Sequence, residues 1–556
     1  MRALLVAVVA LLVVAPAAFG HAVVTETSPA RGASLDTAPS GVTVRFNEPV
    51  EAAFGAVRVF DERSRRIDDG RTTRPAGDAS IGVGLKEGLP AGTYVATYRV
   101  VSADSHPVSG GFVFAVGGGG TEGAPAVSDL VGGGAGPATD VAFGIARGVT
   151  YAATALLLGG LLFILLAWRR ATPPEEARAA AAARARRIGI AAAVAGLLAG
   201  LAGIVLQGAT AAGVSAWSAL DPGVLGDVLE TRFGRVWLLR DVAFAVLGIL
   251  LALARPVWLL LAIAAAFLAV APGLSGHAAN AHPAAVLLPL DVLHVVAMSL
   301  WMGGLAALLL VVPAATRALD PAGRTRLLAA LLLRFSPLAL ACVVTLVATG
   351  LVQSILHVEE LSALTGTGFG RAVLVKAGLL VLLIGLGAAQ RRRIIPALRR
   401  LAGSDEPPGD AGRLLRRTLR AEVALGVAVL GATSALVAYP PPDSLAGGPF
   451  SATKSMGPIT LDATVDPART GPNELHLYLL DAKTGAPFEG TKELRVSTTL
   501  PAKDIGPIAA EPRRAGPGHY VVEGLNLVPA GDWEIGVVSR VSEFEEHRTE
   551  LEVEVE

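Results

Sequence analysis

The sequence predicts a multidomain membrane protein: an exported β-sandwich or Greek-key barrel, an eight-helix transmembrane bundle, and a second exported β-sandwich of Ig-like pattern. Three observations predict this. The 556-residue chain is 52% hydrophobic and 17% charged, with a mean hydropathy of +0.56, which is too apolar for one large soluble globule. Its apolar content is concentrated between Val141 and Tyr439 in eight runs, each near the roughly 20 residues that a bilayer requires. On either side, short β-branched and aromatic runs alternate with Gly and Pro signals instead.

Residues 1–20 carry Arg2, the apolar run Leu4 to Val14, and Ala18-Phe19-Gly20 with small residues before a cut. This is the pattern of a cleavable signal peptide. Cleavage would make His21 the mature N-terminus, where the α-amine and Nδ1 together can chelate one metal ion. The first β domain is expected over 21–117. Val42, Val44 and Phe46 alternate, as do Val57 and Val59, and Thr93 to Val101 and Gly111 to Val116 supply longer runs. Near its end, Asp104 and His106 stand two apart in an extended segment and so point to one side. They read either as a turn-capping pair or as metal ligands; with His21 they make a nitrogen-rich set plus one oxygen, which suits Cu(II).

Residues 118–139 include GGGG and GGGAG and read as a flexible linker, with an r.m.s. reach of about 25 Å. The bundle is expected over 140–440, with spans near 142–168, 188–208, 236–254, 256–273, 287–313, 335–356, 372–390 and 419–438. Arginines such as Arg169, Arg170, Arg184, Arg186, Arg317, Arg326, Arg391 and Arg416 all fall in alternate loops. The positive-inside rule then leaves both termini outside.

The stretch Pro272 to Gly304 concentrates the chemistry. It holds His277 and His282 in the loop, then Asp291, His294, Met298 and Met302 at i, i+3, i+7 and i+11, one face of an apolar helix. The face reads from hard oxygen through imidazole to soft thioether, and imidazole with thioether suits copper, as Cu(I) within the membrane. Methionines also fill core gaps, whereas ionisable residues within a span are costly and tend to be functional. Several other polar groups have structural expectations. Arg240 and Asp241 would form an internal ion pair, Lys376 would snorkel outward, Glu422 would pair with a neighbour such as Arg420, and the cluster of His357, Glu359 and Glu360 would be solvated. The tail, 441–556, shows strand patterns at Ile459 to Val465, Glu474 to Leu480, Leu494 to Thr499, His519 to Val522, Trp533 to Val538 and Glu550 to Val555. Its His476 and His519 lack ligand spacing and are expected to be structural.

These residues carry resemblances. HAVVTETSPARGASLDTAPSGVTVRFNEPVE with YRVVSADSHPVSGGFVFAV resembles the CopC family of exported copper-binding β-barrels, which implies a Cu(II) site at His21, Asp104 and His106. No methionine lies between His21 and Val116, so the resemblance implies the version without a Cu(I) site. RFGRVWLLRD, SGHAA, DVLHVVAMSLWMGG, RFSPLAL, TGLVQS and GRAVLVKAGLL resemble the CopD family of copper-uptake membrane proteins, with Gln390 standing where an asparagine is expected. NELHLYLLDAKTGAPFEG and GPGHYVVEGLNLVPAGDWEIGV resemble the YtkA-like domain, and the whole order is similar to the YcnJ type of copper importer.

The functional expectation is copper acquisition at the plasma membrane. The N-terminal domain would capture Cu(II) and pass it to the bundle for import, with the copper ion, the lipid bilayer and an extracytoplasmic copper chaperone as partners. Zero net charge gives no basic surface for nucleic acid, and no P-loop indicates ATP. One cysteine, Cys342, excludes an intrachain disulfide. No enzymatic role is expected. The two alternatives are a copper-sequestering or resistance protein without transport, and a membrane redox protein holding haem or copper.

Overall fold

The computed structural model describes residues 22, 24–30, 33–54, 56–102, 107–117, 130, 135–253, 257–276, 284–357, 363–366, 368–437, 450–466, 468, 470–482 and 487–555. The expected signal peptide, almost all of the linker, and the ligand candidates His21, Asp104, His106, His277 and His282 lie outside the described residues, as do Glu359 and Glu360.

The first β domain has nine strands: β1 Val24–Ser28, β2 Ser34–Leu35, β3 Gly41–Phe46, β4 Val50–Glu51, β5 Val57–Asp61, β6 Asp68–Thr73, β7 Ser80–Leu85, β8 Gly92–Ser102 and β9 Pro107–Val116. They form two sheets, β1-β3-β7-β6 and β2-β9-β8-β4, with β5 also paired to β8. Val42, Val44 and Phe46 from one sheet meet Val57, Tyr94, Tyr98, Phe112 and Phe114 from the other in a single core. The alternation read from the sequence is thus the inward face of a sandwich. Strands such as β6, DDGRTT, escaped that reading because five of the six residues face solvent and carry no apolar period.

Asp68 is the polar brace of this domain. It is buried, and it accepts hydrogen bonds from the main-chain N–H of Val59 (2.9 Å) and Gly70 (3.0 Å) and from Arg66 Nε (2.8 Å). Burial by itself would raise the carboxyl pKa, but Arg66 and the two amides outweigh it and hold it below the ordinary carboxylate value.

The helical unit contains α1 Pro137–Phe163, α2 Glu175–Ala212, α3 Arg232–Leu253, α4 Trp258–Leu274, α5 Ala284–Leu310, α6 Pro321–His357, α7 Gly368–Ala389 and α8 Gly409–Leu436. Seven of the eight are long and apolar enough to cross a bilayer; α4, with 17 residues, is shorter. Several run past the expected spans. Pro137 at the first helical turn starts α1 before the expected boundary at 140, and the arginine-rich first turns of α2 extend its apolar run. Arginines gather the ends opposite the α5 polar residues: Arg186 Nη2 donates to the Ala252 carbonyl (2.7 Å), Arg184 Nε to the Leu310 carbonyl (3.3 Å), and Arg169 lies over the Trp258 ring. Cations at helix C-termini satisfy orphan carbonyls and suit the helix dipole. α5 packs against α1, α4, α6 and α8.

The tail folds into a second two-sheet β domain. Its strands are β10 Phe450–Met456, β11 Ile459–Asp466, β12 Gly471–Asp481, β13 Glu493–Leu500, β14 Ile505–Ala510, β15 Arg513–Gly516, β16 His519–Leu527, β17 Gly531–Arg540 and β18 Glu546–Val555. The sheets run β10-β11-β12-β16-β15 and β14-β13-β17-β18, around a core with Trp533 at its centre. Each of the six expected strand runs falls on an observed strand.

Asp68→Asn is expected to cost about 2 kcal/mol, because it weakens a buried, multiply bonded acceptor whose arginine partner is half exposed. The sign with pH is fixed: a carboxylate with a depressed folded-state pKa contributes stability above about pH 4, lost as pH falls through its folded value. Hydrogen-exchange mass spectrometry of β5 to β7 at neutral and acid pH should show that loss in the intact chain, and a smaller pH effect in the variant.

Candidate metal centre

α5 carries Asp291, His294, Met298 and Met302 on one face, as the sequence spacing requires. α6 runs antiparallel beside it and meets that face with Gln353 and Thr349, themselves one turn apart. Asp291 is hydrogen-bonded to the Gln353 side chain, and Gly273 of α4 gives the carboxylate room, since a Cβ there would lie 2.8 Å from Asp291 Oδ2. Lys376 of α7 acts electrostatically on both Asp291 and His294. Its side chain is half-buried.

His294 Nδ1 lies 2.8 Å from Thr349 Oγ1, and that hydroxyl also lies 2.8 Å from the Thr345 carbonyl. A hydroxyl has one proton, and the carbonyl can only accept. Thr349 therefore donates to Thr345 and accepts from His294 Nδ1–H. The tautomer assigned by this network leaves the lone pair on Nε2, the nitrogen that remains for a metal ion. Sequence spacing gave no sign of Thr349, because its partner lies 55 positions away.

Below His294, Met298 packs against the core of the bundle, and Met302 is 9% exposed. A Cβ at Gly426 of α8 would overlap the Met302 Cε and Sδ, so the thioether rests on the α8 backbone. One turn from Gly426 toward the arginine-rich end, Glu422 is buried and accepts a hydrogen bond from Gln390 Nε2 (2.9 Å), which also reaches Thr418 Oγ1 (3.0 Å). The expected Arg420 partner is thus replaced by Gln390, a residue whose place in the sequence suggested no contact with the path. Asp291, His294, Met298 and Met302 thus follow one another along α5, and Glu422 lies one turn along α8 from the glycine on which Met302 rests.

Arg240 and Asp241 are buried, but their expected mutual ion pair is not formed. Arg240 stacks over the Trp237 ring at 3.7 Å, and both carboxylate oxygens of Asp241, with Nε and Nη2 of Arg240, have no hydrogen-bond partner among the described residues. Adjacent positions on a helix project about 100° apart, which separates the two side chains.

Among the described residues, no three His, Cys, Asp or Glu side chains gather at one metal position. The β-domain candidates can be traced by their flanks. β1 begins with Val24 opposite Phe46; β4 begins with Val50 opposite Ser102, where β8 ends. Ser102 Oγ donates to Glu48 (2.8 Å), within the same short connection. The first described residue of β1 and the last of β8 thus both pair next to the short connection between β3 and β4.

Fold and site together define a multi-pass membrane protein with a β domain on each side of its helical unit in sequence. Three family models match it: the CopC domain over residues 24–117, the copper resistance protein D-like N-terminal domain over 138–287, and copper resistance protein D over 329–436. The chain is 29% identical over 548 residues to the copper transport protein CutJ of Bacillus subtilis, covering 95% of this chain and 94% of that protein. It is 32% identical over 104 residues to protein YobA of Escherichia coli, covering 18% of this chain and 84% of YobA. The crystal structure of CopC from Methylosinus trichosporium OB3b matches 17% of this chain and 93% of its own at 25% identity and a TM-score of 0.16. The chain thus carries a CopC-domain match and two copper resistance protein D matches in one polypeptide, and is similar to CutJ along nearly its whole length.

Thr349→Val removes the acceptor that fixes His294 and is expected to lower copper accumulation at least tenfold under limiting supply, whereas Thr349→Ser retains it. Equal accumulation in both variants, measured by elemental analysis of washed cells, would show that the imidazole needs no such support.

Proposed function

We propose that the chain acquires copper: its N-terminal domain captures Cu(II) outside the plasma membrane and the helical unit carries copper inward. The observation that carries this reading is the α5 line, in which a carboxylate, an imidazole with its Nε2 lone pair available, and two thioethers follow one another through an enclosed helix. Structural carboxylates and imidazoles are expensive within a membrane, and imidazole with thioether matches copper. The similarity to a protein named as a copper transporter over nearly its whole length supports it.

In this reading His21, Asp104 and His106 converge at the end of the first sandwich and hold Cu(II). Residues 118–139 tether that domain to the bundle, and His277 and His282 receive the ion at the outer end of α5. After one-electron reduction by a donor outside this chain it passes His294, Met298 and Met302 as Cu(I), and Glu422 offers an oxygen ligand near exit. α4 serves as the eighth span: 17 residues at 1.5 Å each reach about 26 Å, close to the roughly 30 Å hydrocarbon core. Both β domains then lie outside, the tail as an Ig-like, YtkA-like module. Capture through the α-amine requires its deprotonation, from an ordinary pKa near 8, so copper affinity weakens as pH falls.

The test is cell-associated copper under limiting supply, in cells carrying the intact chain, His294→Ala, or a His21→Ala form verified to be processed and inserted. Both variants are expected to fall to the level of cells lacking the protein. Accumulation equal to the intact chain in both would reject import, and copper that rises on deletion of the protein would identify a protective sink instead.

A further inference from the structure

The second β domain brings together two histidines that stand 43 positions apart in the chain. In β12, Leu475, Leu477 and Leu479 point into the core, which leaves Glu474, His476 and Tyr478 on the opposite face of the sheet. β16 pairs with β12 so that Tyr478 stands opposite His519 and His476 opposite Val521. His519 is therefore the diagonal neighbour of His476, a separation that long side chains bridge. His476 Nδ1 lies 3.2 Å from His519 Nε2.

From this geometry we propose that His476 and His519 form a copper-binding site, with Glu474 and Tyr478 as its positioning residues. Two metal–nitrogen bonds of about 2.0 Å spanning 3.2 Å enclose an angle of about 105°, within the range of tetrahedral coordination. Glu474 Oε1 lies 3.4 Å from His476 Nε2, the nitrogen facing away from His519. A carboxylate there holds the proton on Nε2 and turns the Nδ1 lone pair toward the site, the arrangement by which outer carboxylates orient ligating histidines. The Tyr478 ring lies parallel to His519 at 4.2 Å and 6°, fixing the second imidazole. With the site metal-free, one N–H lies between the two nitrogens. Binding needs only that the His519 proton move from Nε2 to Nδ1, so no charge is released.

Two imidazoles suit several divalent metals, and the Irving–Williams order places copper at the top for such a site. Two ligands among the described residues fit an ion held in passing, with water or an incoming donor completing its shell, better than a structural zinc with four protein ligands. His519 is 3% exposed, whereas the His476 side chain, at 12%, supplies the way in. The proposal concerns equilibrium binding and stands whether or not the bundle imports copper.

The test uses the full chain in detergent, with His21→Ala, Asp104→Asn, His106→Ala, His277→Ala, His282→Ala and His294→Ala removing the other histidine and carboxylate candidates of the first domain and the bundle. Cu(II) is titrated and followed by electron paramagnetic resonance. One equivalent with two-nitrogen superhyperfine structure is expected, and it disappears in His476→Gln and in His519→Gln. An unchanged equivalent in both variants overturns the proposal. To separate ligand loss from misfolding, the same chain without those two changes is treated with diethylpyrocarbonate and its modified histidines read by mass spectrometry. Copper is expected to slow modification of His476 at least tenfold, and an unchanged rate overturns the site independently of any variant.

Discussion

The close crossing of α1 and α5 sets the geometry on which the rest of the helical unit depends. A Cβ at Gly159 would overlap the Ser299 carbonyl oxygen, and one at Gly303 would overlap the Ala155 carbonyl oxygen. Between helices in a membrane, small residues of this kind let two backbones approach where apolar side chains have no water to escape. Ser299 and Gly303 thus face α1, which fixes the rotation of α5 about its own axis. Asp291, His294, Met298 and Met302, roughly a quarter turn or more away, are turned toward α6 and α8.

Once the rotation is fixed, each polar group on that face needs a partner, since an unsatisfied polar group in low dielectric costs several kcal/mol. The neighbours supply partners unevenly. Gln353 and Thr349 satisfy Asp291 and the Nδ1 side of His294, Gln390 satisfies Glu422, and the thioethers need nothing. With Nδ1 held by Thr349, Nε2 is the ring nitrogen of His294 turned away from that bond. The Arg240–Asp241 pair departs from this economy: a pocket in α2 at Gly200 accepts the carboxylate, but gives it no donor among the described residues.

Much of the architecture was legible because hydrophobic period and length act locally. Each expected span overlaps one of the eight helices over most of its described residues, and the inward faces of both sandwiches were visible as alternation. The strands that were missed, such as β14, IGPIAA, with a run of four exposed residues, lack an apolar face to announce them. The α5 face was legible because four residues share one helix. The partners were not, because Thr349 and Gln353 reach His294 and Asp291 through helix packing, which spacing along the chain does not encode. His476 and His519 show the same limit: without ligand spacing in sequence they were read as structural, and a diagonal between two strands brings them to 3.2 Å. Gln390 was set aside as a departure at a helix end, yet it holds the buried Glu422.

The central claim is that copper crosses along the α5 line. The most direct measurement reconstitutes the purified chain in liposomes that contain a trapped Cu(I) chelating dye, with Cu(I) supplied outside in a weak complex. The account predicts that the dye colours well above the rate in protein-free liposomes, and that Met298→Leu with Met302→Leu slows it at least tenfold while leaving the fold intact. Colour at the protein-free rate with the intact chain, or an unchanged rate in the double variant, would contradict it.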